Sequence, residues 1–490
     1  MASRLDSPFD LERCGPAVDI ALDVINEKFL AHHNIELKKV QGSYPSCSGA
    51  IAPGLAADMH FKNDVIAFVG PACAFALEPV ARLAAYWNTP IITGMGDQPP
   101  SEGELAAPAS VVSRMHRLRN LRKGTQPPSE GELAAPASVV SRMHRLRNLR
   151  KGTQPQTLFN DKGKYPTLTR MSYCQCRLPR VFTSVFDRFG WAHVALLLDK
   201  SDLFSLTVGK SLEWGLRKEG VLKAVRELDG NEKESCEALL LDVSMYARVV
   251  ILSVRGSLVR EFLLAAHALG MTRGDWAFLD VEIFQGGYWG ETGWEAGDER
   301  DTAARAAYEA LLRVSLKLPT GDRFDEFADT VRTRAKDHYD YSFSDGEEVN
   351  FFIGAFYDGV YLLGMALNET LTEGGDIRDG RNITSRMWGR DFHGITGHVR
   401  IDPVGDRDAD YAILDLDPVT GKFEVVAFYY GLNSSYRPVA GKAIHWPGGR
   451  RAPPPDTPRC GEAQTVIIYC FIGLALFLMF AVTAACIAYK

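Results

Sequence analysis

The chain alternates short apolar runs with longer segments in which apolar residues recur every three or four positions. Short apolar runs are typical of buried strands, and the longer spacing is typical of one face of a helix. The longer spacing predicts helices over residues 15–29, 74–87, 181–189, 203–219 and 258–269. The apolar runs predict strands over residues 64–70, 90–93, 193–198, 248–253 and 276–280.

Strands and helices in strict alternation, joined by short connections, indicate parallel sheets that carry helices on both faces. One such series precedes residues 98–153 and a second follows them. We therefore predict an α/β fold with two lobes, each built on a doubly wound parallel sheet. A ligand would bind in the cleft between the lobes, near the carboxyl ends of the strands.

Residues 98–125 and 126–153 are identical letter for letter. Solenoid repeats diverge and usually number three or more, so this pair does not indicate a solenoid. We predict that 98–153 is a duplicated, largely disordered insert. The alternative is that the basic end of each copy binds anionic lipid or nucleic acid.

The chain ends in a long apolar run. From Val466 to Ala488 there are 23 residues without a charge, and about 20 apolar residues are enough to cross a bilayer as a helix. We assign residues 463–489 to a transmembrane helix and residues 1–462 to an extracellular region. Three N-x-S/T sequons support this orientation, because they are glycosylated only in a secretory compartment: Asn368, Asn382 and Asn433.

Composition narrows the function classes. The formal charge of -6 argues against a nucleic-acid binder. The sequence contains no phosphate-binding glycine loop, nucleophile elbow or H-E-x-x-H motif, so we assign no catalytic residue and no metal site. The start is polar and has no apolar run that could form a strand ahead of the first helix, so we expect residues before Met1.

Several segments are specific enough to indicate a family. They are GPAVDIAL from Gly15, FVGPACAFALEPVARLAAYWNTPIIT from Phe68, FYDGVYLLGMALNETL from Phe356, and RNITSRMWGRDFHGITGHVRIDPVGDRDADYAILDLDPVTGKFEVV from Arg381. Together they resemble the extracellular region of the natriuretic peptide receptors, which comprise receptor guanylate cyclases and clearance receptors. The last segment is closer to the cyclase-type branch. The resemblance implies a two-lobed clamshell of the type I periplasmic-binding-protein class.

The resemblance also implies site residues in the first lobe. A disulfide bond would join Cys47 to Cys73, and a chloride ion would bind the Ser43 hydroxyl and the backbone amides of Ala72 and Cys73. The family has glycine where Ala72 stands, so the chloride site requires a negative φ at this alanine. We expect no other cofactor.

Further positions correspond to the ligand cleft and the dimer contact of the family. Phe75 and Arg82 lie where the family contacts its ligand, and Phe61 and Tyr86 lie at its dimer contact. In the second lobe, Asp199 and Phe204 occupy ligand-facing positions, but the aromatic pair and the glutamate of the family are absent there. We therefore expect a ligand other than a vertebrate-type natriuretic peptide.

These observations predict a single-pass plasma-membrane receptor that binds an extracellular peptide as a homodimer. The resemblance implies that it is the sensor part of a receptor guanylate cyclase, and we expect the cytoplasmic catalytic part beyond Lys490. Two alternatives remain open: a clearance-type receptor without an enzyme, and a clamshell receptor for a small molecule such as an amino acid.

Overall fold

The computed structural model describes residues 1–96, 161–229, 236–283 and 292–458 except 4–6, 8, 9, 46 and 48, together with Phe159, residues 469–474 and Met479. The insert predicted over 98–153 and most of the helix predicted over 463–489 lie outside these residues.

The eleven α-helices of the described residues include the five that the apolar spacing predicts, with ends that differ from the prediction by up to four residues. They are α1 Leu11–Ile25, α2 Ile51–Asn63, α3 Ala74–Tyr86, α4 Leu178–Phe189, α5 Leu203–Lys218, α6 Cys236–Val243, α7 Gly256–Ala268, α8 Asp301–Tyr308, α9 Asp322–Tyr339, α10 Phe351–Thr372 and α11 Gly380–Met387. Local chemistry fixes several of their ends. The Asp202 carboxylate accepts a hydrogen bond from Ser205 N at the start of α5, and α4 ends at Gly190 in a left-handed conformation.

A strand at Ala2–Ser3 lies ahead of the first helix, where the sequence predicted no strand, and the last five strands pair antiparallel. The fifteen strands of the described residues include the five that the apolar runs predict. They are β1 Ala2–Ser3, β2 Ser43–Tyr44, β3 Phe68–Val69, β4 Ile91–Thr93, β5 Leu168–Arg170, β6 Val194–Asp199, β7 Leu222–Leu228, β8 Val249–Ser253, β9 Ala277–Val281, β10 Leu311–Leu316, β11 Asp391–Gly394, β12 Gly397–Arg400, β13 Tyr411–Leu416, β14 Phe423–Tyr430 and β15 Ser435–Pro438.

The second lobe contains an eight-stranded sheet in the order β15-β14-β13-β10-β9-β8-β6-β7. Strands β6 to β10 are parallel, as predicted, whereas β13 to β15 pair antiparallel at one edge. The sheet is therefore mixed rather than purely parallel.

The first lobe departs further from the predicted doubly wound sheet. Strands β11 and β12 form a separate antiparallel hairpin, and the other strands of this lobe form two separate parallel sheets, β1-β2 and β3-β4-β5. An apolar cavity of about 360 Å³ lies between them, lined in part by Met1 and Val69. The strand predicted over 64–70 is shorter because Asp64 adopts a left-handed conformation at the end of α2, and pairing begins only at Phe68.

The chain passes between the lobes three times, after β5, after β10 and after β12. Helices α9 and α10 return to the first lobe, where both pack on α1. One cluster of buried side chains runs through both lobes; it includes Ile25 and Ile92 of the first lobe and Val194 and Ile251 of the second. The lobes therefore share a continuous hydrophobic core.

Candidate ligand-binding surface

A disulfide bond holds the loop before α2 against the start of α3. The structure joins Cys47 to Cys73, as the family resemblance implies, with Cα atoms 5.8 Å apart and both cysteines buried. Gly49 lies so close to α3 that an added Cβ would come within 2.9 Å of the Phe75 carbonyl oxygen. This loop therefore fixes the position of the first turn of α3.

One face of α3 carries three of the predicted site residues. Phe75, Arg82 and Tyr86 are spaced by seven and four positions, which places them on the same side of a helix. Phe75 is 50% exposed and Tyr86 is 85% exposed. The structure therefore gathers two predicted ligand contacts and one predicted dimer contact on a single accessible surface.

Arg82 is held in place by neighbours on this surface. Its Nη2 lies 2.5 Å from Glu78 Oε1, one helical turn away, and Glu78 also accepts a hydrogen bond from the Tyr165 hydroxyl at 3.1 Å. A hydrogen bond with Tyr165 is the main cause that raises the pKa of Arg82, and burial raises the pKa of Tyr165 to about 12. The guanidinium therefore remains charged and oriented at physiological pH.

Aromatic side chains meet where α2 and α3 end. Phe61, on α2, is 74% exposed and packs edge-on against Trp87 with ring centroids 5.7 Å apart. His60 stacks on the same indole at 4.3 Å. Phe61 and Tyr86 thus stand beside a supported aromatic cluster, which is a suitable surface for contact with another protein.

Two of the residues predicted for chloride binding, Ala72 and Cys73, immediately precede α3. Helix α3 begins at Ala74 without a side-chain cap, which leaves its first amides able to bind an anion. Ala72 does not have a positive φ, so it meets the requirement for a negative φ at this position. Ser43 lies on β2, next to the buried Tyr44. The backbone at Ala72 and Cys73 therefore fits an anion site, and chloride binding stays a prediction.

Asp199 and Phe204 lie in the second lobe, at the carboxyl end of β6 and in the first turn of α5. Asp199 is buried, and its carboxylate accepts hydrogen bonds from the backbone and hydroxyl of Ser201 and from Arg255 Nε at 3.0 Å. Both carboxylate oxygens are therefore already engaged. Arg255, one third exposed, is the group of this pair that can reach a ligand.

The acidic segment after β12 is locked by arginines. Asp406 forms a buried bidentate pair with Arg170 at 2.7 and 2.6 Å, and Asp402 pairs with Arg177. Although burial alone would raise it, the pKa of Asp406 is lowered because Arg170 lies so close. Gly405 has a φ of +78°, and a Cβ there would collide with the Trp388 ring. This segment therefore ties the third crossing to the end of β5.

Comparison with known protein families matches residues 13–419 to the receptor family ligand binding region. The chain belongs to this family. The α/β lobes and their predominantly parallel sheets fit its periplasmic-binding-protein-like domain.

The relatives of this ligand-binding region are receptors. The chain is 43% identical over 237 residues to receptor-type guanylate cyclase gcy-28 of Caenorhabditis elegans, covering 47% of this chain and 18% of that protein. It is 26% identical over 437 residues to bovine atrial natriuretic peptide receptor 3, covering 86% and 69%. It is 26% identical over 475 residues to human atrial natriuretic peptide receptor 2, covering 91% and 38%. The chain thus spans only a minor part of two of these three relatives.

The three sequons of this ligand-binding region differ in accessibility. Asn368 lies within α10 and its amide is hydrogen-bonded to His33 at 3.0 Å, and Asn382 is half-buried in α11. Asn433 is exposed on a turn between β14 and β15. Of the three predicted acceptors, Asn433 is the best placed for glycosylation.

Sequence reasoning missed Arg255, Glu78 and Tyr165. Arg255 lies 56 positions from Asp199, and Tyr165 lies 87 positions from Glu78. The i, i+4 spacing of Glu78 and Arg82 was the one local signal that could have revealed a member of this set.

Proposed function

We propose that this chain is the extracellular ligand-binding part of a single-pass plasma-membrane receptor that binds a peptide. The observation that carries this proposal is the exposed face of α3, where Phe75, Arg82 and Tyr86 project from a helix anchored by a disulfide bond. Aromatic and arginine side chains dominate binding hot spots because they combine large contact area with directional polar groups. A peptide, unlike an amino acid, is large enough to cover such an open surface.

The membrane anchor rests on the apolar run from Val466 to Ala488. Residues 469–474 are helical, and Tyr469 and Phe471 are each 68% exposed, as expected of side chains that face lipid. Among the described residues, α10 also has the length and composition of a membrane span, but 83% of its most apolar window is buried inside the protein. Helix α10 is therefore a core helix, and the C-terminal run is the proposed anchor.

The likeness to receptor-type guanylate cyclase gcy-28 favours the cyclase branch. Under this proposal, guanylate cyclase activity belongs to the full-length receptor, and the present lobes supply its ligand dependence. In the second lobe we assign ligand contact to Arg255 and Phe204, and we give Asp199 the role of positioning Arg255.

Homodimerisation is part of the same proposal. Phe61 and Tyr86 are large, exposed and adjacent to the aromatic cluster at the ends of α2 and α3. A peptide that touches Phe75 and Arg82 would lie next to this contact. It could therefore bind one dimer arrangement better than another and shift the population toward it.

The test uses the full chain in detergent and a library of disulfide-looped synthetic peptides. Any peptide that binds is then measured against two variants. Arg82→Ala should weaken peptide binding and leave the sedimentation of the dimer unchanged. Tyr86→Glu should abolish both peptide binding and dimer formation, because the introduced carboxylate would be buried without a partner at the dimer contact.

Two control variants match these changes. Arg217→Ala removes an arginine that is paired with Glu213 at i, i+4 on α5, and it should not affect binding. Tyr246→Glu places a charge at an exposed tyrosine of the second lobe and should not affect the dimer. A wild-type chain that stays monomeric with saturating peptide would refute the dimer. A screen in which only free amino acids bind would support the small-molecule alternative.

A further inference from the structure

A second cavity lies between the lobes, at the edge of the large sheet formed by β10 and β13 to β15. Its volume is about 450 Å³. The first lobe contributes the start of α9, Phe351 of α10 and the turn of the β11-β12 hairpin; the second lobe contributes the turn between β14 and β15. None of its lining residues belongs to the ligand-binding surface described above.

The lining of this cavity is strongly basic. The cationic side chains are Lys317, Arg323, Arg407 and Arg437, and the single carboxylate is that of Asp410. With His393 and His398 counted as neutral, the lining carries a formal charge of +3. Such an excess in a concave site attracts anions, because low-dielectric walls strengthen the local field.

Arg407 is the most unusual of these groups. It is 3% exposed, and its Nε has no hydrogen-bond partner among the described residues. Its Nη1 is 3.9 Å from Asp358 Oδ2 and 3.5 Å from the Met171 carbonyl oxygen, so both contacts are long. The Asp358 carboxylate is engaged at shorter range by the amides of Ile395 and Thr396. The guanidinium also lies over the Phe351 ring, 4.8 Å from its centroid. A buried guanidinium whose carboxylate partner is 3.9 Å away is nevertheless costly unless another anion approaches it.

The cations at the mouth are available for binding. Within the described part of the chain, neither Arg323 nor Arg437 forms an ion pair, and both are exposed. Arg437 and Lys317 lie against the Tyr430 ring, at 5.4 and 4.9 Å from its centroid. Cation-π contacts with this ring therefore hold two positive charges at one side of the cavity opening.

We propose that this cavity binds a small multivalent anion, with Arg407 at its base and Arg323 and Arg437 at its mouth. The volume falls within the range of small-molecule sites, about 300 to 1,000 Å³, and far exceeds the needs of a single chloride ion. Phosphate and carboxylate groups both match the planar donor pattern of guanidinium groups. Because both lobes line the cavity, a bound anion favours one angle between them.

Calorimetric titration of the full chain in detergent tests this proposal, with pyrophosphate and citrate as the two probes. All chains carry Asn433→Gln, so that no glycan at this predicted acceptor covers the cavity. The double variant Arg323→Gln/Arg437→Gln should weaken binding about tenfold or more, since each change removes a charged hydrogen-bond donor. Both arginines are exposed, so the variant should fold normally.

The matched control is Arg332→Gln/Arg381→Gln, which removes the same charge elsewhere on the first lobe. Arg332 lies nine positions beyond Arg323, about 13 Å along α9. Equal loss of affinity in the control and the cavity variant would mean that the anions bind by net charge alone, and would overturn the proposal. Absence of binding by both probes at 0.15 M chloride, about the physiological ionic strength, would overturn it as well. Binding of one probe only would identify the anion class.

Discussion

Loss of the Cys47–Cys73 disulfide should destabilise the first lobe by about 3 to 4 kcal/mol. The bond closes a loop with a sequence separation of 26, and the chain-entropy relation gives about 3.5 kcal/mol for such a loop at 25 °C. Both positions are buried. Cys47→Ser would add about 1 kcal/mol if the new hydroxyl finds no partner.

The measurement is urea unfolding of the full chain without reductant, followed by tryptophan fluorescence. Cys236→Ser is the matched control, because Cys236 is a free, half-buried cysteine and its replacement should cost less than about 1 kcal/mol. Cys47→Ser should also weaken peptide binding, because Phe75 lies only two positions beyond Cys73. A free energy of unfolding equal to that of the control, or mass spectra with both thiols free, would refute the reasoning.

Two further predictions concern buried carboxylates. Asp406→Asn should cost about 3 to 5 kcal/mol of stability in a denaturant titration, because it leaves Arg170 buried without its bidentate partner. The control Asp391→Asn should lose less than about 1 kcal/mol, because the pair of Asp391 with Arg400 is exposed. Burial raises the pKa of Asp415 to about 7, so the folded protein keeps a proton that the unfolded chain loses near pH 4. Stability should therefore fall by up to about 4 kcal/mol between pH 4 and pH 7. Asp415→Asn should remove most of this slope, and an unchanged slope would contradict the assignment.

The sequence predicts the strands and helices of this fold where burial alone decides them. Strands β6 and β8 appear within one residue of the predicted positions, because VALLL and VVIL have no polar residue that could face water. The prediction over 64–70 was less accurate, because Val65, Ile66 and Ala67 line a cavity and only Phe68 and Val69 pair with a neighbouring strand. The periodicity of apolar residues indicates that a side chain is buried, but it does not indicate which residues pack against that side chain.

The candidate binding surface was predictable only in part, for a related reason. Exposure of Phe75 and Tyr86 follows from their place on α3, and the spacing along one helix is visible in the sequence. The engagement of Asp199 by Arg255 and of Asp406 by Arg170 depends on chain segments 56 and 236 positions apart. Such pairs arise when the lobes assemble, so no local pattern contains them.

The connections between the lobes favour a particular way of transmitting ligand binding. A wide closure of the lobes would have to open a core that continues from Ile25 to Val194, and it would strain the Arg170–Asp406 pair at the third crossing. Opening the core would expose apolar side chains to water, and straining the ion pair would leave buried charges without a close partner. Both changes are unfavourable. Reorientation of two protomers about the exposed surface at Phe61 and Tyr86 would leave the shared core and the Arg170–Asp406 pair intact. A single membrane helix cannot transmit a change within one lobe as readily as a change in its position relative to a second helix. Under the proposed function, ligand binding at α3 should therefore act through the arrangement of the proposed dimer.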